Sequence, residues 1–265
     1  MPIEGLESAQ LKLEHAGRHL DSLTTTVQDY ALAGALKITT SWTQNHPDYT
    51  LVGILTDPIP VPKLIALQAA DVVGNLRAAL DHSIFDHVVK KAISTGKPLT
   101  DDEQKRIQFP ILEKPKKIDA GLYSPAVAQV LESHQPNKMS PTYEHPLARL
   151  NRLVNHDKHR VALVTTGADL ITDLFYTHPL EHVGSKDIAI GDELKPGVEM
   201  FRADFRAIAP LTDHPQKYIK GFSGGFYASI EIPGTTQIPA ILATMQSMRD
   251  YVKTVLDDLD AAGVT

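Results

Sequence analysis

Residues 63–94 repeat apolar side chains at helical spacing, yet the middle of that stretch, Gly74-Asn75-Leu76-Arg77-Ala78-Ala79-Leu80-Asp81-His82, holds an amide, a guanidinium, a carboxylate and an imidazole. Polar groups set into a helix that must be largely buried need partners, and this requirement limits what can pack beside it. At about 100° per residue, Val72, Leu76, Ala79, Leu80 and Ile84 form one broad apolar face, whereas Asp71, Asn75 and His82 fall within about 40° of each other on a second stripe. Arg77 and Asp81 stand at i and i+4 and can pair along the helix, flanking the apolar face.

A second polar cluster ends another apolar helix, predicted over 146–157, at Asn155-His156-Asp157-Lys158-His159-Arg160. Leu147, Leu150 and Val154 share a face with Asp157, which turns that carboxylate inward and calls for a cation; Arg77 and Arg160 are the candidates. We read the two clusters as one site. Arg77, His82, Asp157 and His159 are its candidate catalytic groups, and Asn75, Asp81, Lys158 and Arg160 its candidate ligand-binding groups. The competing reading is structural: an ion pair and a satisfied core histidine that lock two helices together.

The rest of the chain predicts an α+β fold, long amphipathic helices packed with a mainly antiparallel β-sheet. Leu6, Leu13, Ala16, Leu20, Leu23, Val27 and Tyr30 mark a first helix over 5–33. Strands follow at 36–43 and 49–56, joined by the turn-rich 44–48, and this hairpin is expected to join the later strands. The segment 97–117 reads as a polar connection interrupted by Phe109-Pro110-Ile111, with a short helix after it at 126–133. Strands are predicted at 161–166, 170–176, 198–208 and 218–232. A last helix is marked by Ile238, Ile241, Met245, Met248, Val252, Val255 and Leu259. We expect a single domain over 1–265, helix-rich over 1–160, strand-rich over 161–235 and closed by the helix at 237–262.

Composition narrows the function classes. The 265 residues include no cysteine, so disulfides, thiolate nucleophiles and cysteine zinc sites are excluded. No apolar run reaches the roughly 18–20 residues that span a bilayer, and Met1-Pro2-Ile3-Glu4 lacks the start of a secretory signal. A cytoplasmic protein without membrane partners is the expectation. A formal charge of −6 argues against an extended grip on duplex DNA, and the long amphipathic helices point to a homodimer.

The order Asn75-Leu76-Arg77 through Leu80-Asp81-His82, then Phe109-Pro110-Ile111, Gln135-Pro136 and Asp157-Lys158-His159-Arg160 resembles a broadly distributed, uncharacterised bacterial family. Arg77 and His82, four residues between them, also resemble the Arg-x4-6-His signature of HEPN domains, helical modules that include metal-independent ribonucleases. That resemblance implies His82 as acid or base for attack by a ribose 2′-hydroxyl on the adjacent phosphodiester, and Arg77 as the group that stabilises the phosphorane. The chain departs from the pattern at Ala78, often polar in the family, and at Ile84, where a tyrosine sometimes stands. A straight helix sets Arg77 and His82 about 140° apart, so one phosphate meets both only if the helix deforms near Gly74 or a partner subunit completes the site.

Two other readings stay open. Asp81, His82, His156, Asp157 and His159 are ligand types that zinc, manganese or iron accept, which would suit a hydrolase or oxygenase. The spacing lacks His-Glu-x-x-His, however, and Lys158 and Arg160 disfavour a cation, so no metal or cofactor is assigned. Alternatively, Arg77, Lys158, His159 and Arg160 bind an anionic ligand or nucleotide without catalysis. The glycine-rich Lys220-Gly221-Phe222-Ser223-Gly224-Gly225-Phe226 leads into a strand and reads as a bulge or tight turn. His178 and His182 read as solvated loop residues, and Trp42 as core.

Overall fold

A computed structural model describes residues 5–33, 38–56, 60–119, 121–157, 164–187 and 196–264. Side chains at 157, 165–174, 186–187 and 222–227 lie outside that description. The architecture is α+β, and the chain divides into two compact units.

The helical unit gathers segments from the start, middle and end of the chain. It takes the first turns of α1 (Gly5–Leu32), then α2 (Lys63–Ser94), α3 (Asp101–Gln104), α4 (Pro125–Ser133), α5 (Pro146–Asp157) and α6 (Ile241–Ala261). α2 is continuous through Gly74 and has the bounds its periodicity predicts. It packs against α5 and α6, which also pack on each other. Val72, Leu76, Ala79, Leu80 and Ile84 are fully buried there, with Leu147 and Leu150 of α5 and Met245, Val252 and Val255 of α6. Burial on this scale, at about 1.5–3 kcal/mol for each large apolar side chain, is what fixes the orientation of the polar groups on α2.

Polar side chains tie α1 to α2 along one line. Gln68 Nε2 donates to Ser22 Oγ at 2.9 Å, His19 Nδ1 lies 3.7 Å from Asp71 Oδ2, and Ser8 Oγ and His82 Nδ1 are 2.8 Å apart. Each step forward on α2 is matched by an equal step back on α1, the register of an antiparallel helix pair. The polar stripe read from the sequence therefore faces α1, except that Asn75 Nδ2 returns to its own helix at the Asp71 carbonyl, 2.8 Å away.

The second unit is β-rich. The hairpin β1 (Ile38–Asn45) and β2 (Asp48–Leu55) joins β5 (Glu199–Ala207) and β4 (Leu180–Asp187) in an antiparallel sheet of order β1-β2-β5-β4. β3 (Val164–Tyr176) and β6 (Ile219–Ile230) form a separate antiparallel pair. The hairpin is tighter than predicted, because Asn45 already pairs with Asp48 and only His46 and Pro47 turn. The two strands predicted at 161–166 and 170–176 are one, with a register shift between Asp169 and Asp173 in place of a loop. His182, read as a loop residue, stands on β4 with its ring against Phe205 and Tyr176. Trp42 is partly buried against the core of Leu51, Leu55, Met200, Phe201 and Phe205.

Gly53 shows how closely that core is filled. It pairs with Phe201 across β2 and β5, and a Cβ at this position would overlap the phenyl ring. Gly53→Ala should destabilise the sheet unit by about 1–3 kcal/mol, the usual cost of overpacking, seen as a lower urea midpoint. An unchanged midpoint would show that Phe201 is free to move aside.

Candidate functional site

Arg77 and Asp81 act together on one residue of the connection between α3 and α4. Arg77 Nε donates to Asp81 Oδ2 at 3.1 Å, and its Nη2 lies 2.9 Å from Oδ1. The same Nη2 donates to the Phe109 carbonyl at 3.0 Å, while the Phe109 N–H donates to Asp81 Oδ1 at 2.8 Å. Phe109 is 1% exposed, so neither backbone group can turn to water. A buried backbone group without a partner costs about 1–3 kcal/mol, and the pair satisfies both at once.

Gln135 continues the fastening. Its Oε1 accepts from Leu112 N at 2.8 Å, and its Nε2 donates to the Pro110 and Leu131 carbonyls at 3.0 and 2.7 Å. Asn137 N donates to the Leu112 carbonyl at 3.1 Å. Arg152 Nε donates to Glu113 Oε2 at 3.0 Å, and its Nη1 reaches the Pro233 carbonyl at 3.1 Å. Residues 109–113 thus form a strap with no regular secondary structure, held by side chains from α2, α5 and the turn after α4. The segments Arg77 to Asp81, Phe109-Pro110 and Gln135, read separately in the sequence, meet here.

His82 points elsewhere. It lines a cleft of about 430 Å³ with Ser8, Phe85, Asp86, Gln104 and Lys105, a volume suited to a small ligand or one nucleotide unit. The Ser8 hydroxyl fixes the ring at Nδ1, and Nε2 has no partner among the described residues. Asp81 reaches the wall of the same cleft, but its carboxylate is occupied by Arg77 and Phe109. The continuous α2 sends Arg77 toward the strap and His82 toward α1, in keeping with the roughly 140° between them.

The other candidate residues fall as follows. Asn75 bonds back to its own helix. Asp157 ends α5, but its side chain lies outside the description. Lys158, His159 and Arg160 lie wholly outside the described residues, as does the expected contact of Arg77 or Asp81 with them. Among the described residues no three histidine or acidic side chains converge as metal ligands, and no helix is long and apolar enough to cross a membrane.

The sequence reading missed the cleft partners Ser8, Gln104 and Lys105. Thr100 and Glu103 carry the signal for the last two: they form a capping box, in which Glu103 N donates to Thr100 Oγ1 at 3.3 Å and Thr100 N to Glu103 Oε2 at 2.8 Å, that starts α3. It also missed a polar chain linking α4, α5 and α6. Leu147 N donates to His145 Nδ1 at 3.2 Å, which caps α5, and His145 Nε2 is 3.0 Å from Tyr251 Oη. Tyr251 Oη is 3.1 Å from His134 Nδ1, and His134 Nε2 is 2.8 Å from Asp258 Oδ2.

The backbone donor settles the protons along this chain. Because Leu147 N–H must donate, His145 Nδ1 accepts, and its Nε2–H donates to Tyr251. The Tyr251 hydroxyl then donates to His134 Nδ1, and His134 Nε2–H donates to Asp258. Every group is satisfied when the rings are neutral. Burial and the neighbouring His134 hold the His145 pKa below its ordinary 6.5. Burial, with Lys91 and Lys90, does the same for His87, whose Nε2 accepts from Ser124 N at 3.2 Å.

No family model matches this chain, and no characterised protein or solved structure does so either.

The lowered histidines make stability depend on pH. Below about 6.5 the unfolded chain binds protons that folded His145 and His87 refuse, so stability should be full above that pH and fall as the pH drops. Melting temperature should therefore decline between pH 7 and pH 5, and the decline should be shallower in His145→Gln. A melting temperature that is flat or rises as the pH falls would contradict this arrangement.

Proposed function

We propose that this protein processes phosphodiesters in RNA without a metal, with His82 as the group that moves protons. The observation that carries the reading is the placement of His82: an imidazole held at Nδ1 by Ser8, with Nε2 unpartnered, on the wall of a cleft of nucleotide size. Such a ring can take the proton of an attacking 2′-hydroxyl and return one to the leaving oxygen. Lys105 on the same wall rests on Asp102 at 3.0 Å, an exposed ion pair weak enough for a phosphate to displace, and so supplies the positive charge. Arg77 enters as a positioning residue, since its guanidinium already serves Asp81 and Phe109.

His82→Ala should lower cleavage of a single-stranded RNA by about 10² to 10⁴ with the melting temperature retained, and Ser8→Ala should lower it less. EDTA should leave the wild-type rate unchanged. Absence of cleavage by the wild type, or activity abolished by EDTA and restored by zinc or manganese, would overturn the proposal.

A further inference from the structure

A second cleft in the helical unit, about 560 Å³, lies where the strap runs on beside the short 3-10 turn Pro136–Lys138. Lys116, Lys117 and Lys138 line it, with Glu132 as the acidic side chain on its wall. What sets these three lysines apart is that they line one concavity together. Lys105, Lys217 and Lys253 each sit within 3.0 Å of an aspartate one helical turn away. Lys116, Lys117 and Lys138 have no carboxylate within ion-pairing distance among the described residues. Of the acids nearest along the chain, Asp119 accepts from Gly121 N at 2.9 Å and Glu113 is engaged by Arg152. In a chain of net charge −6, three unpaired cations around one concavity concentrate positive potential where an anion can enter.

The walls are held in place before any ligand arrives. Asn137 Nδ2 donates to the Lys114 carbonyl at 3.1 Å and Asn137 N to the Leu112 carbonyl at 3.1 Å, which ties the segment bearing Lys116 and Lys117 to the turn bearing Lys138. Gln135, 2% exposed, anchors the same turn from beneath. Preorganised backbone of this kind lowers the ordering cost of binding. Exposed Pro115 and the small exposed part of Ile118 line the cleft beside the lysines, so cations for phosphates stand next to apolar lining for a ring.

We propose that this cleft binds a nucleoside triphosphate, its phosphates on Lys116, Lys117 and Lys138 and its base against Pro115 and Ile118. The site is separate from the His82 cleft and does not depend on the reaction proposed there. Calorimetric titration of the full chain with ATP, in EDTA and at near-physiological salt, tests it. ATP should bind saturably at one site per chain, and adenosine at least about 100-fold more weakly. The triple variant Lys116→Glu, Lys117→Glu, Lys138→Glu should bind ATP at least about tenfold more weakly and keep its melting temperature. The charge-matched variant Lys63→Glu, Lys97→Glu, Lys253→Glu should bind as the wild type does. No saturable binding, an equal loss in both variants, or an RNA oligonucleotide without a terminal triphosphate competing better than ATP would overturn the proposal.

Discussion

Burying Phe109 obliges the chain to satisfy that residue's N–H and C=O away from water, and the Arg77–Asp81 pair does both. Asp81 accepts the N–H, Arg77 donates to the carbonyl, and the two side chains neutralise each other one helical turn apart. With side-chain exposures of 13% and 26%, the pair is partly shielded, so its hydrogen bonds to the backbone matter more than its Coulomb attraction. Once Phe109 is seated, Gln135 can hold Pro110 and Leu112, and Arg152 can hold Glu113. The strap in turn carries Lys116 and Lys117 to the wall of the second cleft.

This division of labour shapes the functional reading. A polar residue in a buried helix is either a fastener or a reactive group, and here neighbouring positions on α2 do different things. Arg77 and Asp81 are spent on the strap. His82 has one ring nitrogen on Ser8 and the other without a described partner. The His134-Tyr251-His145 chain is also a fastener: it joins α4, α5 and α6 through groups whose donors and acceptors match when the rings are neutral.

Local pattern was legible and long-range pairing was not. α2 follows its predicted bounds because its apolar spacing is strong, and the Arg77–Asp81 pair follows from the i, i+4 rule alone. Nothing in spacing says that Phe109 completes that pair, nor that Ser8 lies opposite His82, since both depend on how distant segments close. β4 went unread because Leu180–Asp187 is mostly polar and gains its strand conformation from pairing with β5. Tyr251 and Asp258 lie seven residues apart and so nearly in phase on α6, which was readable. Their histidine partners come from a helix end and a turn, where periodicity carries no signal.

The central claim, that side chains of α2 and the turn after α4 hold the strap as firmly as regular secondary structure would, is tested most directly by amide hydrogen exchange. The account predicts that the Phe109 and Leu112 N–H groups exchange as slowly as buried amides of α2, although neither lies in a helix or strand. It also predicts that Asp81→Asn, which keeps an acceptor but loses the charge, speeds exchange at Phe109 more than at Leu112. Exchange at both positions as fast as at the exposed residues of α3 would contradict it.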